Sequence, residues 1–176
     1  MNQELLRVLE AREARWQRRL ALAQGTGRTL VTVTLCLPVA YRTDPEFLRL
    51  AEGLFSRLEG FLTAQGVPCR REEPLNGADG PALFLTTEAP APAVKRLCVE
   101  AEETLPGGRM LDIDLMDGKG EPVDRGSLGL PPRRCFVCEK PAAVCVARKV
   151  HAREEIERRV EELRREALEG LGEAKP

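Results

Sequence analysis

Aromatic residues are scarce in this chain: five Phe, one Tyr and one Trp among 176 residues. That leaves no platform of rings on which single-stranded nucleic acid could stack. Net charge is scarce too. The chain carries 27 Lys and Arg against 28 Asp and Glu, so no overall field favours nucleic acid or an anionic membrane. No apolar run approaches the length of a membrane span. The opening Met1-Asn-Gln-Glu-Leu-Leu-Arg7 lacks a signal-peptide profile. The expectation is a soluble, cytoplasmic protein without nucleic-acid or membrane partners. At this length one domain with a real core is expected.

Histidine occurs once, and its place is informative. Of six cysteines, Cys36, Cys69 and Cys98 stand singly in apolar stretches, as small buried residues do. The other three cluster and run into the histidine: Cys135-x2-Cys138-x6-Cys145-x5-His151. Three thiolates and one imidazole make a tetrahedral zinc set, and Cys-x2-Cys is a common knuckle. The x6 spacing departs from a standard finger, and residues 141–147 also read as a buried apolar stretch holding Cys145 as core. A structural Zn²⁺ site and ordinary burial both stay open. A nucleophilic Cys–His pair is the poorer reading, since no oxyanion hole or orienting acid accompanies it.

The element pattern is mixed. Residues 2–24 read as an N-terminal helix with Leu5, Leu9, Trp16 and Leu20 on one face and the arginines mostly elsewhere. Residues 30–37 alternate as a strand, Val31, Val33, Leu35 and Leu37 against Thr32, Thr34 and Cys36. Asp44-Pro45 starts a helix that Gly66 stops. Residues 67–72 form a short edge strand, 75–81 a polar loop, and 82–87 another strand. Ala-Pro-Ala-Pro after them reads as a connector, followed by a helix through Leu105. Asp117-Gly-Lys-Gly120 is a hairpin turn into an extra strand within residues 121–125. The order is β-α-β-β-α-β, so the expected class is α+β with a ferredoxin-like antiparallel sheet. The whole chain, 1–176, is expected to be one domain. Its parts are the N-terminal helix, an α/β core over 29–125, a Cys/His-rich loop over 126–151 and a charged helix over 152–170.

Within that order one strand points to chemistry. In Gly108-Arg-Met-Leu-Asp-Ile-Asp-Leu-Met-Asp117 the carboxylates of Asp112 and Asp114 are two apart. Side chains at i and i+2 of a strand leave the same face. Leu111, Ile113 and Leu115 then meet the helices with Val31, Val33 and Leu35, and the aspartates take the opposite, more open face. Like charges side by side destabilise a strand unless something compensates. A hard divalent ion such as Mg²⁺ does so, held by one or two carboxylates plus substrate phosphates. A solvated strand face is the competing reading. Asp117 and Asp124 are further carboxylates, Asp117 being more simply a turn residue. Arg109, Arg133 and Arg134 are candidate substrate-binding residues, because arginine forks match phosphate oxygens.

These motifs carry a resemblance. Gly108-Arg-Met-Leu-Asp-Ile-Asp-Leu115, together with Leu130-Pro-Pro-Arg-Arg-Cys-Phe-Val-Cys-Glu-Lys-Pro-Ala-Ala-Val-Cys145 through to His151, closely resembles the apo-citrate lyase phosphoribosyl-dephospho-CoA transferases, also called citrate lyase holo-acyl-carrier-protein synthases. Arg12-Glu-Ala-Arg-Trp-Gln-Arg-Arg-Leu20 is similar as well. One departure is visible: the family usually has Gly and then Lys after the Pro that ends the first strand, where Val39 and Arg42 stand here. The resemblance implies a nucleotidyltransferase-type reaction. The donor would be 2′-(5″-triphosphoribosyl)-3′-dephospho-CoA, the acceptor a serine of the citrate lyase acyl carrier protein (gamma subunit), and the leaving group diphosphate. Asp112 and Asp114 would hold Mg²⁺ in that reaction, with Arg109, Arg133 and Arg134 on the phosphates. A zinc-knuckle binding module and a non-catalytic citrate lyase assembly partner are the alternatives.

Overall fold

A computed structural model describes residues 3–172. The chain begins with α1 (Gln3–Thr26) and β1 (Thr29–Leu35). A 3-10 turn (Val39–Tyr41) leads to α2 (Pro45–Ala64). Then come β2 (Arg70–Arg71), β3 (Leu75–Gly77), β4 (Gly80–Thr87), α3 (Ala91–Thr104), β5 (Leu111–Met116) and β6 (Pro122–Val123). The cysteine-rich stretch contains a short helix, α4 (Ala142–Arg148), and α5 (Arg153–Leu171) follows it. The α+β class stands. The strands run in the order β2-β4-β1-β5-β6, antiparallel at each pairing, with β3 hydrogen-bonded to β4 alone. Among the described residues no helix is long and apolar enough to cross a membrane.

Local chemistry sets most of the boundaries. Asp44 caps α2, its carboxylate accepting from the N–H groups of Glu46 (2.8 Å) and Phe47 (3.4 Å), with Pro45 in the first turn. Asp117 builds the turn before β6 by accepting from the N–H groups of Lys119 and Glu121 (both 2.9 Å). Those bonds hold its carboxyl below the usual range. Asp124 accepts from the Ser127 N–H and closes the next turn, so both extra aspartates serve turns. α5 opens on Ala152, whose N–H donates to Glu155, and ends at Gly172 in the left-handed region.

The main core lies between α2, α3 and α5 and one face of the sheet. Val31, Val33, Leu83, Leu85, Leu111, Ile113 and Leu115 meet Leu54, Leu58, Val94, Cys98 and Leu163 there, as the alternation of β1 and β5 requires. A second, smaller cluster occupies the opposite face. Leu22 and Ala23 of α1 pack on Leu30, Ala82, Phe84 and Met116.

Five expectations need correction. The aspartate face is not simply open, because α1 lies across part of it. Of the face read on α1, Leu20 packs inward and the rest does not. Leu5, Leu9 and Trp16 are 50, 46 and 40% exposed, whereas Val8, Leu22 and Ala23 are buried. Arg15 and Arg19 turn inward as well and pair with Asp79, in the turn between β3 and β4, and with Asp114; acidic as well as apolar partners set which way the helix faces. The polar loop over 75–81 contains β3, a strand that exists because β4 supplies its partners (Leu75↔Ala82, Gly77↔Gly80). The Ala-Pro-Ala-Pro stretch is not all connector: α3 starts at Ala91, and Pro92 occupies its first turn, where a missing N–H costs nothing. The terminal helices run two residues and one residue beyond the expected C-terminal limits, to Thr26 and Leu171. Asn2, expected to start α1, lies outside the described residues.

Candidate functional site

Asp112 and Asp114 leave the same face of β5, half exposed (side chains 51 and 59%). Their cross-strand partners on β1 are Thr34 and Thr32. An arginine from outside the strand stands at each carboxylate. Arg133 Nη1 lies 3.3 Å from Asp112 Oδ1, and Arg19 Nη1 lies 3.2 Å from Asp114 Oδ2. The compensating charge that a pair of adjacent aspartates requires is thus supplied by two guanidiniums. Among the described residues no third Asp, Glu, His or Cys groups with the pair as a potential metal ligand. A divalent ion there would take its remaining ligands from water and phosphate, as magnesium ordinarily does.

Arg133 does more than face Asp112. It donates to the Leu111 carbonyl (2.7 Å), to Glu102 Oε1 (3.2 Å) and to the Arg109 carbonyl (2.9 Å). Arg109 returns the contact, donating to the carbonyls of Arg134 (2.6 Å) and Cys135 (3.0 Å). The two side chains clamp the start of the cysteine-rich segment to the start of β5. Arg134 pairs with the exposed Glu139. Arg109 and Arg134 line a hollow of about 320 Å³ with Glu103, Glu139 and Arg159, and the aspartates are not among its lining. Of the three arginines expected at phosphate, then, only Arg133 is in contact with the aspartate pair.

Two buried charges, missed in the sequence reading, fix β5 from the other side. Past the end of β6, the Ile113 N–H donates to Glu102 Oε1 (3.1 Å) and the Ile113 carbonyl accepts from Lys95 Nζ (2.6 Å). These α3 side chains satisfy an exposed strand edge as a neighbouring strand would. Their spacing of seven places both on one helix face, which was the available signal.

The four residues of the cysteine motif converge. Cys135 Sγ is 3.4 Å from His151 Nε2, Cys138 Sγ is 3.6 Å from Cys145 Sγ, and all four ligand atoms lie within 4.8 Å of one another. Zinc–sulfur bonds of about 2.3 Å at tetrahedral angles require ligand separations of about 3.8 Å, so the set is pre-shaped for a tetrahedral ion. A tight turn makes this arrangement. The Cys135 N–H donates to the Lys140 carbonyl, and the Val137 N–H donates to Cys135 Sγ (3.4 Å). α4 then brings Cys145 back, and Lys149 adopts φ +48° to redirect the chain to His151. Cys145 is buried as the apolar reading held, but its neighbours in α4 are not: Val144 and Val146 are 38 and 78% exposed. Burial and the nearby thiols of Cys138 and Cys135 push the Cys145 thiol up to about 11. Burial also raises Cys135, but the N–H groups of Val137 and Cys138 and the adjacent thiols outweigh it and leave Cys135 below its ordinary value. Glu155 stands 3.8 Å from His151 Nδ1, where a carboxylate orients a ligating imidazole.

A cleft of about 680 Å³ lies over this cluster, and the aspartates are not among its lining. Pro38, Phe136, Val146, Lys149, His151 and Ile156 are among its lining. The two regions adjoin at the end of β1. The Cys36 thiol there is raised by burial and feels Arg133, Asp112 and Cys135 together. Arg42, the residue at the departure from the usual pattern, donates to the Leu37 carbonyl (3.0 Å).

Comparison with known proteins gives the lineage. The family model of the apo-citrate lyase phosphoribosyl-dephospho-CoA transferases matches residues 3–167. The chain belongs to this family. Proteins bearing that name from Shigella flexneri serotype 5b and Escherichia coli O1:K1 are 33 and 32% identical over 156 residues, 89% of this chain and 85% of each relative. One from Shigella boydii serotype 18 is 32% identical over the same share.

Proposed function

We propose that this protein transfers the phosphoribosyl-dephospho-CoA group from 2′-(5″-triphosphoribosyl)-3′-dephospho-CoA to a serine of the citrate lyase acyl carrier protein, with release of diphosphate. Family membership over residues 3–167 and the common face of Asp112 and Asp114 support the reading. The second observation carries the chemistry. Attack at a phosphorus of a polyphosphate builds charge on the phosphoryl and leaving oxygens, and carboxylate-held cations and arginines answer that charge.

The donor set at the aspartates fits Mg²⁺ in kind: hard oxygens, two of them, half exposed, on one face. Asp112 and Asp114 would hold it, and when bound it supplies charge neutralisation and alignment of the phosphates. The chain's own work is positional. Arg133, tied by Glu102 and two carbonyls, keeps a guanidinium beside Asp112. Arg109 and Arg134 stand one layer away, where they suit a leaving diphosphate. Zn²⁺ is our assignment for Cys135, Cys138, Cys145 and His151, in a structural role, since four protein ligands leave no open position.

The strand order β2-β4-β1-β5, with α2 and α3 as the crossovers, supports the ferredoxin-like reading of the core. Packing of α1 and α5 onto that core supports one transferase domain. A cytoplasmic location suits six free cysteines.

The deciding assay supplies the apo carrier protein, the triphosphoribosyl donor and Mg²⁺, and follows carrier mass and diphosphate release. Asp112→Asn and Asp114→Asn each lower kcat by about 10²–10³ with little change in Tm. Wild-type activity in the double variant would refute the carboxylates' role. Absence of transfer by the native protein would refute the function. Metal analysis of the purified protein should return one zinc per chain, lost in Cys138→Ser; a zinc-free native protein overturns the zinc assignment.

A further inference from the structure

Two buried polar atoms without a hydrogen-bond partner belong to residues that each adjoin Asp114. Arg19 Nε is one and Thr32 Oγ1 is the other. Thr32, 2% exposed, is the cross-strand partner of Asp114 and shares its face. The same Arg19 that holds the orphaned Nε places Nη1 on Asp114. Both residues therefore adjoin the carboxylate pair, where α1 crosses the sheet. Buried donors without partners cost about 1–3 kcal/mol each, and folded proteins meet such groups with a ligand or a held water.

The chemistry of the two unpartnered atoms is selective. A guanidinium Nε–H only donates, and a threonine hydroxyl beside it is free to donate. Both call for an acceptor, and acceptor oxygens next to a carboxylate pair describe an anion that arrives with its own cation. Arg19 is also held in a state suited to exchange. Its side chain is only 12% exposed, while that of Asp114, 3.2 Å from it, is 59% exposed. Nη1 of the guanidinium thus meets the solvent-facing carboxylate, while its Nε has no hydrogen-bond partner.

We infer that Arg19 and Thr32 form a receptor for a phosphate oxygen of the donor's polyphosphate, with Arg19 passing from the Asp114 carboxylate to that phosphate when the ligand binds. The inference rests on the transferase reading and adds to it a substrate-binding residue from the N-terminal helix. In the free protein Arg19 neutralises Asp114; on binding, the carboxylates take the cation that accompanies the anion and the guanidinium takes the anion. Both charges stay matched throughout, which keeps the exchange low in cost. Trp16 reports it. The chain has one tryptophan, and the Arg19 guanidinium lies 5.5 Å from its ring centre.

The test uses the full chain and magnesium tripolyphosphate as probe, read by Trp16 fluorescence and by titration calorimetry. Wild type should show a saturable change in emission. Arg19→Gln should weaken tripolyphosphate at least about tenfold and raise KM for the donor more than it lowers kcat. Arg19→Lys, which keeps the charge and loses the fork, should fall between them. Thr32→Val, of like shape, should weaken the probe without lowering Tm, because it removes an unpartnered hydroxyl. Arg7→Gln, on an exposed part of α1, should match wild type. Tripolyphosphate affinity within twofold of wild type in both Arg19→Gln and Thr32→Val overturns the inference, as does unchanged Trp16 emission, which would leave only a held water to meet these atoms. Failure of group transfer by the wild type would instead strike the transferase reading, and the tripolyphosphate titration would still decide Arg19.

Discussion

Glu102 is the residue whose removal should be felt furthest. Its side chain is 5% exposed, and it meets three donors. Oε1 accepts from the Ile113 N–H (3.1 Å) and from Arg133 Nη1 (3.2 Å), and Oε2 accepts from Arg125. The arginines are themselves mostly covered, with side chains 11 and 20% exposed. Removing one partner of a buried ionic group leaves the other charges stranded, at about 3–5 kcal/mol. Glu102→Ala should therefore cost about 3–5 kcal/mol, a large part of the 5–15 kcal/mol typical of a domain, and lower Tm by roughly 10 °C at this chain length. Glu102→Gln keeps an acceptor for Ile113 but turns an amide donor toward an arginine, and should cost about 1.5–3 kcal/mol. Urea unfolding followed by circular dichroism measures both. A double-mutant cycle with Arg133→Gln should show coupling, since both residues meet one atom. The effect should also reach the cysteine-rich segment, because Arg133 stands two residues before Cys135: proteolytic nicking within residues 126–151 should quicken in Glu102→Ala. A loss below 1 kcal/mol in Glu102→Ala, or no coupling to Arg133, would refute the argument that this network is desolvated and shared.

Two further outcomes are expected. Gly108→Ala should be strongly destabilising in thermal melts, because a Cβ there would stand 2.3 Å from the Ala101 carbonyl oxygen, a backbone atom of α3 that has no room to yield; a Tm within 2 °C of wild type would refute that contact. Burial pushes the Cys98 thiol up to about 12 from an ordinary 9.0, so above pH 9 the folded chain keeps a proton the unfolded chain loses. Stability should then fall as pH rises from about 9 toward 12, with Cys98 contributing about 1 kcal/mol of loss between pH 8 and 10; Cys98→Ala should flatten that slope in paired urea titrations, and an identical slope would show that Cys98 is not its source.

Period-2 alternation made β1 and β5 legible, because one face of each must enter the core: Val31, Val33, Ile113 and Leu115 could hardly point elsewhere. The convergence of Cys135, Cys138, Cys145 and His151 was legible from spacing and from the rarity of histidine. What escaped was set by partners distant in sequence. β3 has the composition of a loop, and only its register with Ala82, Pro81 and Gly80 makes it a strand. α1 leaves Leu5 and Leu9 in solvent and turns Arg15 and Arg19 inward beside Leu22, a mixed face that hydrophobic periodicity cannot register when the opposing surface carries Asp79 and Asp114. Arg109 and Arg133 looked alike as candidate phosphate forks. Both donate to backbone carbonyls of the other's segment, contacts that follow from the chain reversal at the cysteines, and only Arg133 also meets Asp112.

That reversal joins the two halves of the site. Residues 109 and 112 lie on and just before β5, and residues 133–135 arrive after a long excursion through β6 and a Gly/Pro-rich connection. A loop of that length gains no order from local propensity, so its ends need fixed points. One fixed point is the pair of arginine–carbonyl clamps at β5. The other is the four-residue cluster, which closes Cys135 against Cys145 and His151, while Arg159 of α5 donates to the Phe136 carbonyl between them (3.0 Å). Held at both ends, Arg133 has little freedom to leave Asp112. A tetrahedral ion in the cluster would thus act on the aspartate face without touching substrate: it would set the stiffness of the segment that delivers Arg133. Loss of that ion should therefore raise donor KM through Arg133 before it unfolds the core, whose buried strands share no ligand with the cluster.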